Sequence, residues 1–470
     1  QIEGFEEKYG MDFDAPMLEE SADEGLVERH RREIFPLLHR RELFADVDNF
    51  RLYDVFRPEG EVDENVFAYS NRFDGDRTLV VYHNRFGDTR GWIRESVPYK
   101  VSDNEDAPLE RQTLAEGLEI DGDPQTFLAF RDEITGLEYI RNASEVAGKG
   151  LYIELEAYDV HVFLDFREIR DHDAGPYARL CDRLAGRGVD SLDAELRRMR
   201  LQPVHQAARR NLNPERFRRL HEIEELPEEM LENLRLGAEA VAEAAGELTG
   251  DSYAGYAEAS VECVEAALRL GELDEAVGDE TRTLSDAFGA LKPESPAMWG
   301  SLLGWALLCG LGGEGGEASA ELARTRIDEL GLGELVERSV SGLGADAATA
   351  ERAAGLVKLL VRYADWSRPS EPTGGDPAKF LEVLLADEET RRFLGVNTFE
   401  GVVWFHDESM EALLGGLLRS AAADALRRSD DLDEAADQFR APARTLSALS
   451  RAAAEADSQV EKLRDRLGSD

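Results

Sequence analysis

The amino-acid sequence predicts a multidomain α+β protein in which an antiparallel β-sandwich domain precedes an all-α helical domain. Three observations predict it. Between positions 50 and 165, eight short runs rich in β-branched and aromatic residues alternate with turn residues. Beyond position 230 the strand pattern stops and apolar residues recur at helical spacing. Hydrophobic residues make up 42% of the 470 and are spread along the whole chain, which excludes wholesale disorder. These changes of pattern set the boundaries: an opening segment over 1–45, the β domain over 46–170, a polar helical linker over 171–230 and the helical domain over 231–470.

Taken in order, Ser21-Ala-Asp-Glu24 offers a capping box for a helix that ends near Leu43. Leu26, Val27, Ile34, Leu37 and Leu38 form its apolar face, and Pro36 must kink it because proline removes one ladder bond. The β runs are Phe50–Phe56, Val66–Arg72, Arg77–Asn84, Trp92–Tyr99, Thr126–Arg131, Leu137–Arg141, Leu151–Ala157 and Val160–Phe166. Phe73-Asp-Gly-Asp76 and the stretch from Asp132 to Gly136 read as hairpin loops. Alternation sends Leu151, Ile153 and Leu155 to the core face and Tyr152, Glu154 and Glu156 to water. The acid- and glycine-rich segment 102–125 reads as a long solvated loop. An Arg-rich stretch, Leu196 to Leu220, leads into the helical region. There Leu231, Leu234, Ala238, Val241, Ala242, Ala245 and Leu248 fall on one stripe. The 4-3 spacing of Leu449, Ala453, Ala456, Val460, Leu463 and Leu467 predicts a last helix packed lengthwise on a partner. Gly312 to Gly316 and Ser367 to Asp376 read as breaks. The longest apolar run, Trp299 to Leu311, is about 13 residues, a buried helix too short for a bilayer.

Charge narrows the function classes. Asp and Glu number 98 against 54 Lys and Arg, a formal charge of −44, which repels phosphate backbones and anionic lipid, so neither nucleic acid nor membrane is an expected partner. Only seven of the 54 cations are Lys. Abundant carboxylates with little Lys are what a salt-rich, halophilic cytoplasm favours, since hydrated carboxylates keep a protein soluble under strong screening; a GC-rich genome writing Arg for Lys is the alternative, which accounts for the missing Lys but not for the excess acid. The folded state is therefore expected to be lost at low ionic strength, and a melting temperature unchanged between low and molar KCl would contradict this. Cys181, Cys263 and Cys309 lie far apart with no CxxC spacing, which fits packed thiols in a reducing, cytoplasmic compartment.

No metal site, cofactor or self-contained catalytic site is expected. His161, Asp165, Glu168, Asp171, His172 and Asp173 are the densest set of candidate ligands, but on a strand His161 and Asp165 stand about 13 Å apart, too far to share an ion. With 98 carboxylates, any acid and nucleophile pair is uninformative. The glycine-rich run at 310–316 lacks the Lys-Ser/Thr of a phosphate loop, and there is no Gly-x-Ser-x-Gly elbow or dinucleotide fingerprint. Trp92, Trp404 and Phe405 are the candidates for stacking on sugar rings, with core packing the commoner use of such side chains.

The phrases QIEGFEEKYGMDFDAP, LVERHRREIFPLLHRRELF, VDENVFAYSNR, LVVYHNRFGDTRGWIRESV, FRDEITGLEYIR and GLYIELEAYDVHVFLDFREI, with FLGVNTFEGVVWFHDESMEALL later, resemble the region after the catalytic centre in large proteins of the alpha-amylase glycoside hydrolase family. The resemblance spans about 1–230 and 380–415. It implies that 1–45 is the last loop and helix of a (β/α)8 barrel, that 46–170 is the β domain closing the catalytic unit, and that the family's catalytic Asp, Glu and Asp lie upstream of Gln1. The chain is then expected to be the carboxy-terminal part of an enzyme acting on α-glucans by hydrolysis or transfer, inactive alone, with only Gln1 and Glu3 near the sugar. A start on Gln1, with no charged-then-apolar leader after it, fits that expectation. The alternative is a non-enzymatic carbohydrate- or protein-binding module with a helical docking domain. Neither reading fixes an oligomeric state.

Overall fold

A computed structural model describes residues 21–45, 47–100, 108–172, 175–277, 288–313, 317–368 and 375–468. The chain divides into two compact units, Gln1–Met199 and Arg200–Asp470. It is a mixed α and β protein, with eight strands of the first unit in one curled antiparallel sheet and the second unit almost wholly helical.

The opening helix breaks where proline dictates, into α1 (Glu24–Glu33), α2 (Phe35–His39) and α3 (Arg41–Ala45). Its cap is Asp23 rather than Ser21: the Asp23 carboxylate accepts from Leu26 N at 3.0 Å.

All eight predicted runs are strands: β1 (Arg51–Phe56), β2 (Val66–Phe73), β3 (Asp76–His83), β4 (Thr89–Ser96), β7 (Thr126–Asp132), β8 (Glu138–Asn142), β9 (Leu151–Leu155) and β10 (Val160–Arg170). A separate ribbon pairs β5 (Tyr99–Lys100) with β6 (Leu109–Glu110). The eight do not divide between two facing sheets, as a sandwich requires, but join in one, ordered β8-β7-β10-β3-β2-β1-β4-β9. The cause lies in β10. Its start, Val160–Phe163, pairs with β3 and its remainder, Phe163–Arg170, with β7, across a bulge between Leu164 and Arg167 where Asp165 takes a φ of 55°. A strand long enough to serve two neighbours fuses the sheet, and the bulge bends it into a half-barrel.

The concave face buries Tyr53, Val55, Ala68, Leu79, Val81, Ile93, Leu128, Phe130 and Ile153. Helices α4 (Leu114–Gly117) and α5 (Ala143–Lys149) fill it. Helix α4 overturns the expectation of a solvated loop. Thr113 and Glu116 form a capping box, and Leu114, Ala115 and Leu118 insert into the core, one apolar turn hidden among acidic neighbours. Gly117 permits the approach, since a Cβ there would run into the Tyr53 hydroxyl. Part of the convex face is covered by Leu43 on Val162 and Leu164. Another part, at Phe127, Ala129 and Ile140, is covered by Leu180 and Leu184 of α6 (Pro176–Leu184) and by Leu192.

Within 171–230 the described residues include helices whose apolar side chains are packed. The division between the units falls inside α7 (Leu192–Ala208), and Val204, Leu212, Phe217 and Leu220 belong to the helical core. In α8 (Pro214–His221) Arg218 and Arg219 are exposed and Arg216 half-buried while Phe217 and Leu220 are buried, so a polar composition coexists with an apolar stripe.

The stripe predicted over 231–248 is realised in α9 (Glu228–Thr249), with Leu234, Ala238, Val241 and Ala245 buried. The helices that follow are α10 (Tyr256–Leu268), α11 (Leu270–Val277), α12 (Pro296–Leu308), α13 (Glu317–Glu329), α14 (Gly333–Ser341), α15 (Ala347–Arg362), α16 (Pro377–Ala386), α17 (Glu388–Phe393), α18 (Asp407–Arg428), α19 (Leu432–Ala454) and α20 (Val460–Leu467). Helix α12 is the predicted apolar run, buried on every side from Trp299 to Leu308. The terminal 4-3 spacing spans two helices, not one. Asp457 and Ser458 adopt left-handed backbone between α19 and α20, and the turn returns Val460 and Leu463 to the core that Leu449 and Ala453 enter. Two of the three thiols meet: Cys263 Sγ and Cys309 Sγ lie 3.1 Å apart. Either thiol can donate in this contact, and burial raises the cost of ionising both. Among the described residues no helix is long and apolar enough to cross a membrane.

Candidate functional site

The convex face carries an aromatic row where β1, β4 and β9 lie side by side. Register places Phe56 opposite Trp92, and Trp92 opposite Tyr152. Because side chains alternate along a strand, all three point away from the core that receives Val55, Ile93 and Leu151, and all three are half-buried. The Trp92 and Tyr152 rings are 5.1 Å apart and tilted by 56°, and the Arg94 guanidinium stands 5.6 Å from the Trp92 ring. The Tyr152 hydroxyl donates to Glu154 Oε1 at 3.1 Å. Slight burial, then the Glu154 carboxylate, push this phenol above its ordinary range, so it stays a donor. Arg90 lies opposite Glu154 in the β4–β9 register. Ring faces framed by guanidinium and carboxylate groups suit a ligand with apolar C–H faces and a rim of hydroxyls. Further along the sheet Phe67, 49% exposed, pairs with Tyr82, and Leu52 is also exposed.

Asp63 anchors one end of the row. It is fully buried and accepts from Arg57 Nη2 at 2.7 Å and Nε at 3.0 Å, from Asn65 N at 3.1 Å and Nδ2 at 3.2 Å, and from the Thr89 hydroxyl. Its own backbone N donates to Val55 O at 2.8 Å. Thr89 opens β4 and Phe56 closes β1, so this carboxylate ties together the strand ends that present Phe56 and Trp92. Burial disfavours its charge, but the hydrogen bonds from Thr89, Arg57 and Asn65 outweigh burial and hold it far below the usual carboxylate range.

The remaining sequence candidates are dispersed. Gln1, Glu3 and Asp173 lie outside the described residues. Phe405 is 2% exposed and belongs to the helical core, so it offers no face to a sugar; Trp404 is half-buried in a short hairpin of the second unit. His161 does not meet Asp165. Its Nδ1 lies 2.8 Å from Oδ2 of the buried Asp132, which also accepts from Thr135 Oγ1 and Val162 N, and its Nε2 is 3.4 Å from Asp159. Burial opposes charge on both partners and their mutual attraction outweighs it, raising His161 and lowering Asp132. The stability from His161 is thus full below about pH 6.5 and fades as pH rises through its folded value, whereas that from Asp132 is full above about pH 3.9 and fades on acidification. Asp165 pairs with Arg40 at 2.6 Å, Glu168 with Arg77 at 2.6 Å, and Asp171 accepts from Ala178 N at 2.9 Å at the start of α6. Among the described residues no three His, Cys, Asp or Glu side chains are placed to hold a metal.

A cavity of about 470 Å³ on the first unit is lined by Arg40, Arg77 and Arg167, but each of these is already paired, with Asp165, Glu168 and Glu138 respectively. Sequence reasoning found Trp92 but not the row, because cross-strand partners depend on register. It missed Asp63 and Asp132, whose only local signal is a carboxylate at a turn beside a β run. No protein-family model, curated protein or solved structure matches the chain.

Proposed function

We propose that the chain is the carboxy-terminal part of an alpha-amylase-like glycosidase or glucanotransferase, with its catalytic carboxylates upstream, and that the β unit holds the α-glucan on the aromatic row. The observation that carries this reading is the alignment of Phe56, Trp92 and Tyr152 across three adjacent strands. At the spacing of neighbouring strands the row extends about 10 Å, a platform for consecutive sugar rings. Arg94 and Glu154 beside it supply a donor and an acceptor for hydroxyl groups. The phrase-level resemblance to the alpha-amylase family names the same ligand class independently.

In a glycogen-containing native gel the chain is expected to be retarded, and Trp92→Ala to migrate as it does in a plain gel. Trp92 is half-buried, so an unchanged melting temperature in the variant separates lost binding from lost folding. Equal retardation of both proteins would move the sugar off the row, and absence of retardation in wild type would sink the sugar reading. A non-enzymatic protein-binding surface would then be favoured by Leu52 and Phe67, exposed apolar groups that offer nothing to a hydroxyl. The catalytic half of the proposal is tested separately, by an in-frame barrel in the DNA upstream of Gln1 and by absence of starch hydrolysis in the isolated chain.

A further inference from the structure

From Leu196 to Leu220 the chain reverses its sign: eight Arg stand against one Glu, in a protein of net charge −44. Three of these arginines, Arg210, Arg216 and Arg219, line one cavity of about 290 Å³ in the second unit. Among the described residues no side-chain hydrogen bond or salt bridge engages any of the three guanidinium groups. In the first unit, by contrast, Arg40, Arg77 and Arg167 of one cavity are each held by a carboxylate, although Arg131 beside them has no described partner. Local structure holds the cluster together. Asn213 caps α8 by accepting from Arg216 N at 2.8 Å, and its Nδ2 donates to Arg209 O at 3.0 Å and Arg210 O at 3.2 Å, fixing the turn that brings Arg210 beside α8. Burial, and then the charge of Arg219, hold the Arg216 guanidinium below its ordinary range. At Arg216 burial and Arg219 together outweigh the attraction of Glu215, so the cluster is unfavourable for the empty fold.

The rest of the lining has a different chemistry. Glu215, Glu229 and Asn233 carry oxygens that accept from hydroxyl groups. Three cationic forks beside neutral and anionic acceptors do not match a bare anion, which would be repelled by the two carboxylates. They match an anionic group attached to a hydroxylated body. We propose that this cavity binds a phosphorylated sugar, with Arg210, Arg216 and Arg219 gripping the phosphoryl oxygens and Glu215, Glu229 and Asn233 taking the hydroxyls. Guanidinium groups suit this because their planar donors bind phosphoryl oxygens in pairs. The assignment does not depend on the reading of the sheet face.

The test is calorimetric titration of the full chain at fixed KCl with glucose 6-phosphate, inorganic phosphate and glucose. Glucose 6-phosphate is expected to bind at least about tenfold more tightly than inorganic phosphate, and glucose to give no heat. Arg216→Gln and Arg219→Gln are each expected to weaken glucose 6-phosphate by about tenfold or more. Arg219 is exposed, so its variant reads the site even where Arg216→Gln disturbs α8. Absence of binding by both phosphate-bearing probes, or undiminished binding by Arg219→Gln, overturns the site. Equal affinity for inorganic phosphate overturns the assignment of a sugar.

Discussion

Replacing Trp299 with alanine is expected to cost the second unit about 3–5 kcal/mol, a large part of the total stability of an ordinary domain. Trp299 is among the largest fully buried side chains of the molecule and sits near the start of α12, which is enclosed on all sides. Its Nε1 donates to Phe217 O at 2.9 Å, and its ring meets the edge of His221 at 5.3 Å. Truncation therefore opens a cavity and orphans a buried carbonyl in one step. Neighbours cannot readily close the gap by sliding α12, because a Cβ on Gly300 would already approach Val340 Cγ2 to 2.5 Å. Urea unfolding followed by far-UV circular dichroism measures the effect, and a loss below about 1 kcal/mol would mean that α12 is not the centre of this core.

Asp63→Ala is the second large effect, expected to cost about 3 kcal/mol and to loosen the aromatic row as well. Removing the carboxylate strips one acceptor from Arg57, Asn65 and Thr89 together, and with it the tie between the ends of β1 and β4. Because the folded carboxyl is held below its unfolded value, the stability it contributes is present above about pH 3.9 and is lost only as pH falls through the depressed folded value. Wild type and Asp63→Ala should differ by a constant amount at neutral pH and converge in strong acid. The variant should also migrate less retarded in the glycogen gel than wild type at the same temperature. Parallel stability curves down to strong acid would show that the carboxylate is not ionised in the fold.

Strand positions and their buried faces were legible in the sequence because period-two alternation is a local property. Leu151, Ile153 and Leu155 face the core as their spacing demands. Which strands neighbour each other was not legible, since a single long β10 with one bulge turns two expected sheets into one. Helix α4 was hidden by its acidic surroundings, although Thr113 just before it and Glu116 within it make a complete capping box. The break at Asp457 and Ser458 was hidden for the opposite reason: the apolar spacing continues unbroken across a turn that keeps the same side inward. For the sites, the residue types were visible and their partners were not. Trp92 stands out in any reading, but its alignment with Phe56 and Tyr152 is a matter of register. The Arg-rich stretch stands out as well, while the gathering of three of its guanidinium groups, none engaged in a described salt bridge, around one cavity is a property of the folded surface.

The position of β10 in the sheet also bears on how the protein is made. It is the last strand of the sheet to leave the ribosome, yet it alone connects the β7–β8 hairpin to the five strands from β3 to β9. At synthesis rates of roughly 5–20 residues per second, the hundred or so residues between the first and last strands take about 5–20 s to appear. Through that interval the edge of β3 that β10 will take has no partner in the sheet. Asp74 and Asp76 at one end of that edge, and Glu156 and Asp159 just before β10, place negative charge where a second nascent chain would have to pair. Acidic groups thus flank the open edge of β3 until β10 is available to close it.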